Sequence, residues 1–126
     1  HQSAQSTMSN NALYVQIWQP LMQDAELAEI YLRAIKGETL SEIESLRFSV
    51  YINTVFALGE AAYFQTRSGV GFDELSDDAA EVIDVFNVYM CKLLDTETGK
   101  NWFDSDAPSL YTEEFLRVVG DARKEF

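Results

Sequence analysis

The stretch from Ser41 to Gly69 constrains the fold more than any other part of the chain. Ser41 followed three residues later by Glu44 forms a capping box, a pairing that satisfies backbone amides left without partners at a helix start. Apolar residues then recur at helical spacing through Ile43, Leu46, Val50, Val55, Leu58, Ala62 and Tyr63. Between Phe48 and Phe64 they also crowd further faces, with Tyr51, Ile52, Phe56, Ala57 and Ala61. A helix that is apolar on several sides has to be covered on several sides. The pattern therefore predicts a long central helix near residues 41–68, with other helices packed around it.

The flanking segments supply those helices. Leu13, Tyr14, Val15, Ile17 and Trp18 have amphipathic spacing over Ser9 to Gln19, after which Pro20 marks a break or a kink. Asp24 is placed as the N-cap of a helix running to Lys36, with Leu27, Ile30, Tyr31, Ala34 and Ile35 as its apolar stripe and Gly37 as its C′ residue. Gly69 and Gly71 predict a turn, and Ser76 or Asp77 then caps a helix reaching Leu94. Residues 96–108, which include Trp102 and Phe103, read as a loop or short helical turn. Thr112 caps a last helix from Glu113 to Lys124, with Arg117, Arg123 and Lys124 toward its carboxyl end. No strand alternation, internal repeat or low-complexity tract interrupts this order. The expected fold is all-α: one domain over residues 1–126, a bundle of about five helices, with residues 1–8 outside the folded part.

Composition narrows the functional classes. A formal charge of −12 opposes a direct grip on nucleic acid or on an anionic membrane, because phosphate binding needs clustered cations. It admits basic proteins as partners, and an acidic inhibitor mimicking nucleic acid stays as an alternative. Cys91 is the single cysteine, so no disulfide can form within the chain and no thiolate cluster can be assembled. His1 is the single histidine, which removes Ser-His-Asp and Cys-His catalysis and the Glu-x-x-His pairs of carboxylate-bridged metal bundles. The acids Asp73, Glu74, Asp77 and Asp78 lack the ligand spacing of a calcium loop, and Gly69-Val70-Gly71 is too short to cradle a phosphate. No cofactor or metal is called for. No run is long and apolar enough to span a membrane, so the residues as given read as soluble.

Five residues are candidates for binding a ligand: Arg47, Glu60, Tyr63, Arg67 and Trp102. Glu60 stands among Phe56, Ala57, Leu58, Ala61, Ala62, Tyr63 and Phe64, where a carboxylate needs a partner or a raised pKa. It is read first as paired, with Arg67 or with an arginine of another helix, and second as a general acid or ligand contact. Arg47 can clamp an anionic ligand or tie down an acid such as Glu26 or Glu29, and the tie is favoured. Trp102, with Trp18, Phe103 and Tyr111, either lines a pocket or fills core. The stripe Phe48, Tyr51, Phe56 and Phe64 is offered as a face for a second copy of the chain.

Several segments together resemble a family of bacterial helical proteins of unknown activity. They are Asp24 to Arg33 (DAELAEIYLR), Leu46-Arg47-Phe48, the run Phe56 to Phe64 with Glu60, Gly69, Gly99, Trp102, and Tyr111 to Phe115. The resemblance implies an all-helical domain, commonly preceded by one membrane-spanning helix. It implies that the chain is the soluble part of a membrane-anchored protein trimmed at its start, and it assigns no residue a role. The function expected is a non-enzymatic module that binds a protein partner, a second copy or a small ligand. An enzyme using Glu60 is the alternative.

Overall fold

The computed structural model describes the backbone of residues 10–70 and 77–125 and the side chains of residues 15–64 and 86–124. The expectations placed on residues 1–8, Gly71, Asp73, Glu74 and Ser76, and on the side chains of Leu13, Tyr14, Arg67, Asp77 and Asp78, lie outside the described residues. Among those described, seven helices follow one another: α1 (Asn10–Gln23), α2 (Ala25–Ile35), α3 (Glu42–Val70), α4 (Asp77–Leu94), α5 (Glu97–Ser105), α6 (Ala107–Leu110) and α7 (Glu113–Glu125). The class is all-α, and none of these helices is long and apolar enough to cross a membrane.

The central helix lies where the sequence predicts, but it runs through Gly69 to Val70 and keeps one face exposed. The capping box at its start is closed in both directions: the Ser41 amide donates to Glu44 Oε1 at 2.8 Å, and the Glu44 amide donates to Ser41 Oγ at 3.2 Å. α3 lies most extensively against α4 and also packs on α1, α2 and α5, while α4 extends the core to α7. Phe48, Ile52, Val55 and Phe56 are wholly buried, joined by Ile17 and Leu21 from α1, Tyr31 from α2, Met90 and Leu94 from α4, and Phe115 and Val119 from α7. Gly59 lies where α3 meets α4 closely. A Cβ there would lie 3.1 Å from Met90 Sδ and 3.3 Å from Phe86, so a larger residue would need these side chains of α4 to give by a few tenths of an ångström.

Two expectations are corrected. α1 does not stop at Pro20 but runs through it to Gln23. Pro20 lacks the amide that would donate to the Gln16 carbonyl, and one residue on, the Tyr51 hydroxyl of α3 donates at 2.9 Å to the Ile17 carbonyl and ties this turn to the central helix. The segment after Thr96 is not a loop: it forms α5 and the short α6. Thr96 is buried and caps α5 by accepting from the Gly99 amide at 2.9 Å. Gly99, in the first turn of α5, sits against the preceding turn. A Cβ at that position would lie 2.0 Å from the Leu93 carbonyl oxygen.

Elsewhere the punctuation holds. Gly37 adopts φ +84°, and α2 ends in a Schellman motif, with the Glu38 amide donating to the Arg33 carbonyl and the Gly37 amide to that of Ala34, each at 3.0 Å.

Candidate functional site

Of the three charged candidates on α3, the two whose side chains are described, Arg47 and Glu60, each grip the start of a neighbouring helix. Asp24 caps α2, its Oδ1 accepting from the amides of Glu26 and Leu27 at 3.1 Å each. Its other oxygen accepts from Arg47 Nη2 at 2.6 Å, while Arg47 Nη1 donates to the Glu26 carboxylate. One guanidinium fork thus holds the cap and the first turn of α2 together. The Leu27 amide, followed by the charge of Arg47, holds the Asp24 carboxyl below its ordinary range.

Glu60 performs the matching task at the other end. Thr112 caps α7, accepting from the Phe115 amide at 3.2 Å. In a capping box the residue three beyond the cap would be Glu or Gln and would accept from the amide of the cap itself. Here that position is Phe115, buried in the core, so it cannot do so. Glu60 supplies the missing acceptor from α3: its Oε2 takes the Thr112 amide at 3.0 Å and the Thr112 hydroxyl at 3.2 Å. The hydroxyl proton points to Glu60 and its lone pair to Phe115, which fixes the rotor. Glu60 is half-buried, and among the described residues this hydroxyl and amide at the start of α7 are what it holds; the pairing expected with Arg67 lies outside the described side chains.

The remaining candidates are separate from one another in role. The Tyr63 hydroxyl donates to Glu114 Oε2 at 2.9 Å, joining α3 to α7. Trp102 is buried and meets Phe56 edge-on with ring centroids 4.8 Å apart. Tyr111 rests against both rings, its hydroxyl 2.8 Å from the Asn53 carbonyl oxygen, and burial together with the charge of Glu60 pushes its phenol up to about 12. Trp18 lies edge-on to Tyr31 and Tyr89 and donates from Nε1 to the Tyr89 hydroxyl at 3.1 Å. The aromatic residues near Trp102 and Trp18 therefore build core. Among the described residues no three His, Cys, Asp or Glu side chains come together as a metal site would require.

The stripe offered for a second copy is corrected as well. Phe48, Tyr51 and Phe56 point into the chain's own core, and Phe64 is half-buried against Tyr63. The face that α3 leaves open is a different one. Ile43, Leu46, Val50, Thr54, Ala57 and Ala61, at steps of three or four, are all exposed. The first three are bulky and are 72%, 64% and 60% exposed. Beside them runs an open groove of about 360 Å³ lined by Pro20, Leu27, Leu46, Val50, Tyr51 and Thr54, with Asp24 and Arg47 at its polar edge. Sequence reasoning placed Ile43, Leu46 and Val50 in the core stripe. Only the observation that this helix is apolar on more than one face hinted at a second surface.

No family model matches the chain, and no curated protein or solved structure is significantly similar to it.

Proposed function

We propose that the protein is a non-enzymatic interaction module that binds a macromolecular partner through the open face of α3. The observation that carries this reading is the run Ile43, Leu46 and Val50, three bulky apolar side chains in helical register, all largely exposed beside an apolar groove. Single exposed apolar residues are ordinary on any surface, whereas a contiguous row beside a groove marks a contact site. Fully covering such a side chain is worth about 1.5–3 kcal/mol relative to leaving it exposed. Two of the charged residues that an enzyme reading would recruit are engaged within the fold: Arg47 with Asp24 and Glu26, and Glu60 with Thr112.

The test pairs native mass spectrometry with a photo-crosslinking side chain placed at Val50 or, as control, at Lys100, which is exposed on α5. The expected result is a protein free of retained small molecules and discrete protein adducts from Val50 that are absent from Lys100. Equal labelling at both positions, or a small molecule carried through purification, overturns the reading.

A further inference from the structure

Resting on that reading, we infer that the partner of the α3 face is an amphipathic helix with basic flanks, contributed by another protein. The shape of the site favours a helix. Ile43, Leu46 and Val50 follow one another by three and four residues, and the groove beside them continues the apolar surface over Leu27 and Tyr51. A helix laid along such a row meets it with its own side chains at positions i, i+3 or i+4, and i+7.

Charge selects the flanks. Asp24 lines the groove, Glu26 extends from its edge with a side chain 74% exposed, and Glu42 stands exposed next to Ile43 at the start of the row. Between Asp24 and Glu60 the chain carries seven acidic residues against three basic ones. Arg47, the cation that lines the groove, is shared between Asp24 and Glu26, so this trio keeps an excess of one negative charge, to which Glu42 adds another. Lysines and arginines beside the apolar stripe of an incoming helix would meet these carboxylates, speeding association and fixing orientation. A second copy of this chain would bring its own charge of −12 against the same surface.

The experiment measures binding of a fluorescent peptide of about four helical turns, made of leucine on one face and lysine on the other, by anisotropy against the full chain. The comparison is with the double variant Leu46→Glu/Val50→Glu. This change adds two negative charges, so an association driven by charge alone would tighten, whereas docking on the row weakens about tenfold or more. Both positions are exposed, and circular dichroism confirms that the variant folds. Thr54→Lys, which puts a cation into the groove, is expected to weaken binding in the same direction. A mirror peptide of leucine and glutamate is expected to bind at least about tenfold more weakly than the lysine peptide.

Equal or tighter binding of the lysine peptide to the double variant overturns the proposal, as does equal binding of the two peptides. Sedimentation equilibrium separates this failure from failure of the broader reading. A wild-type dimer that the double variant dissociates, with no peptide bound, leaves the α3 face as an interface and rejects the basic helix. A monomer that binds neither peptide rejects the proposal and removes the support for the broader reading.

Discussion

The outer face of α3 changes character along its length. Among the described residues this face carries the small side chains Thr54, Ala57 and Ala61 past its middle and the bulky Ile43, Leu46 and Val50 before it. Both halves are secured alike from within, by buried aromatic residues and by one charged side chain that holds a neighbouring helix start. Arg47 does this for α2 and Glu60 for α7. The inner packing therefore does not account for the difference. Small side chains leave little apolar surface in water, whereas a row of Ile, Leu and Val leaves a surface that a partner can cover.

This contrast can be broken by substitution. The largest loss is expected at the enclosed centre, where Phe56 touches Trp102, Phe103, Tyr111 and Phe115. Phe56→Ala should lower stability in urea denaturation by about 3–5 kcal/mol. Gly99→Ala comes next, with an expected loss of about 1–3 kcal/mol or somewhat more, because its Cβ has backbone and not a mobile side chain in its way. A normal stability for that variant would mean that α5 does not approach Leu93 as described.

Thr112→Ala is expected to cost about 1 kcal/mol through loss of the cap of α7. If Glu60 acts through Thr112, Glu60→Ala should add little in the Thr112→Ala background although it destabilises the wild type. A double-mutant cycle measured by thermal unfolding decides this. Additive losses would separate the two residues.

Acid should act on the amino half. Arg33 donates to Glu44 at 2.5 Å and, with the Ser41 amide, holds the Glu44 carboxyl at about 2 against its ordinary 4.5, while Asp24 is also held below its ordinary 3.8. Groups depressed by folding bind protons more readily in the unfolded chain. Their stabilisation is thus complete above pH about 4.5 and is lost as the pH falls toward 2. In a pH series of urea melts Glu44→Gln should flatten this decline, and an unchanged slope would mean that the contact with Arg33 has no thermodynamic weight.

Much of the architecture was legible because it is written in local signals. Asp24, Gly37, Ser41, Glu44 and Thr112 each specify a helix end through a side chain or backbone angle that acts within a few residues. The full extent of α5 was not legible: Gly99 stands in its first turn for close approach to Leu93, a contact that spacing and helix propensity do not reveal. The partners of Glu60 were hidden for a similar reason: nothing in spacing indicates that a helix whose third residue is Phe115 borrows its acceptor from 52 residues away. Periodicity also assigned Leu46 and Val50 to the core, since it identifies apolar faces without telling which of two such faces is covered.

The most direct test of this account is the stability of Leu46→Gln/Val50→Gln, measured by urea denaturation beside the wild type. If the amino half of α3 truly leaves this row in water, the free energy of unfolding should stay within about 0.5 kcal/mol of wild type with an unchanged dependence on denaturant. A loss of about 2 kcal/mol or more would show that the row is covered by the protein's own chain, and would contradict an open interaction face.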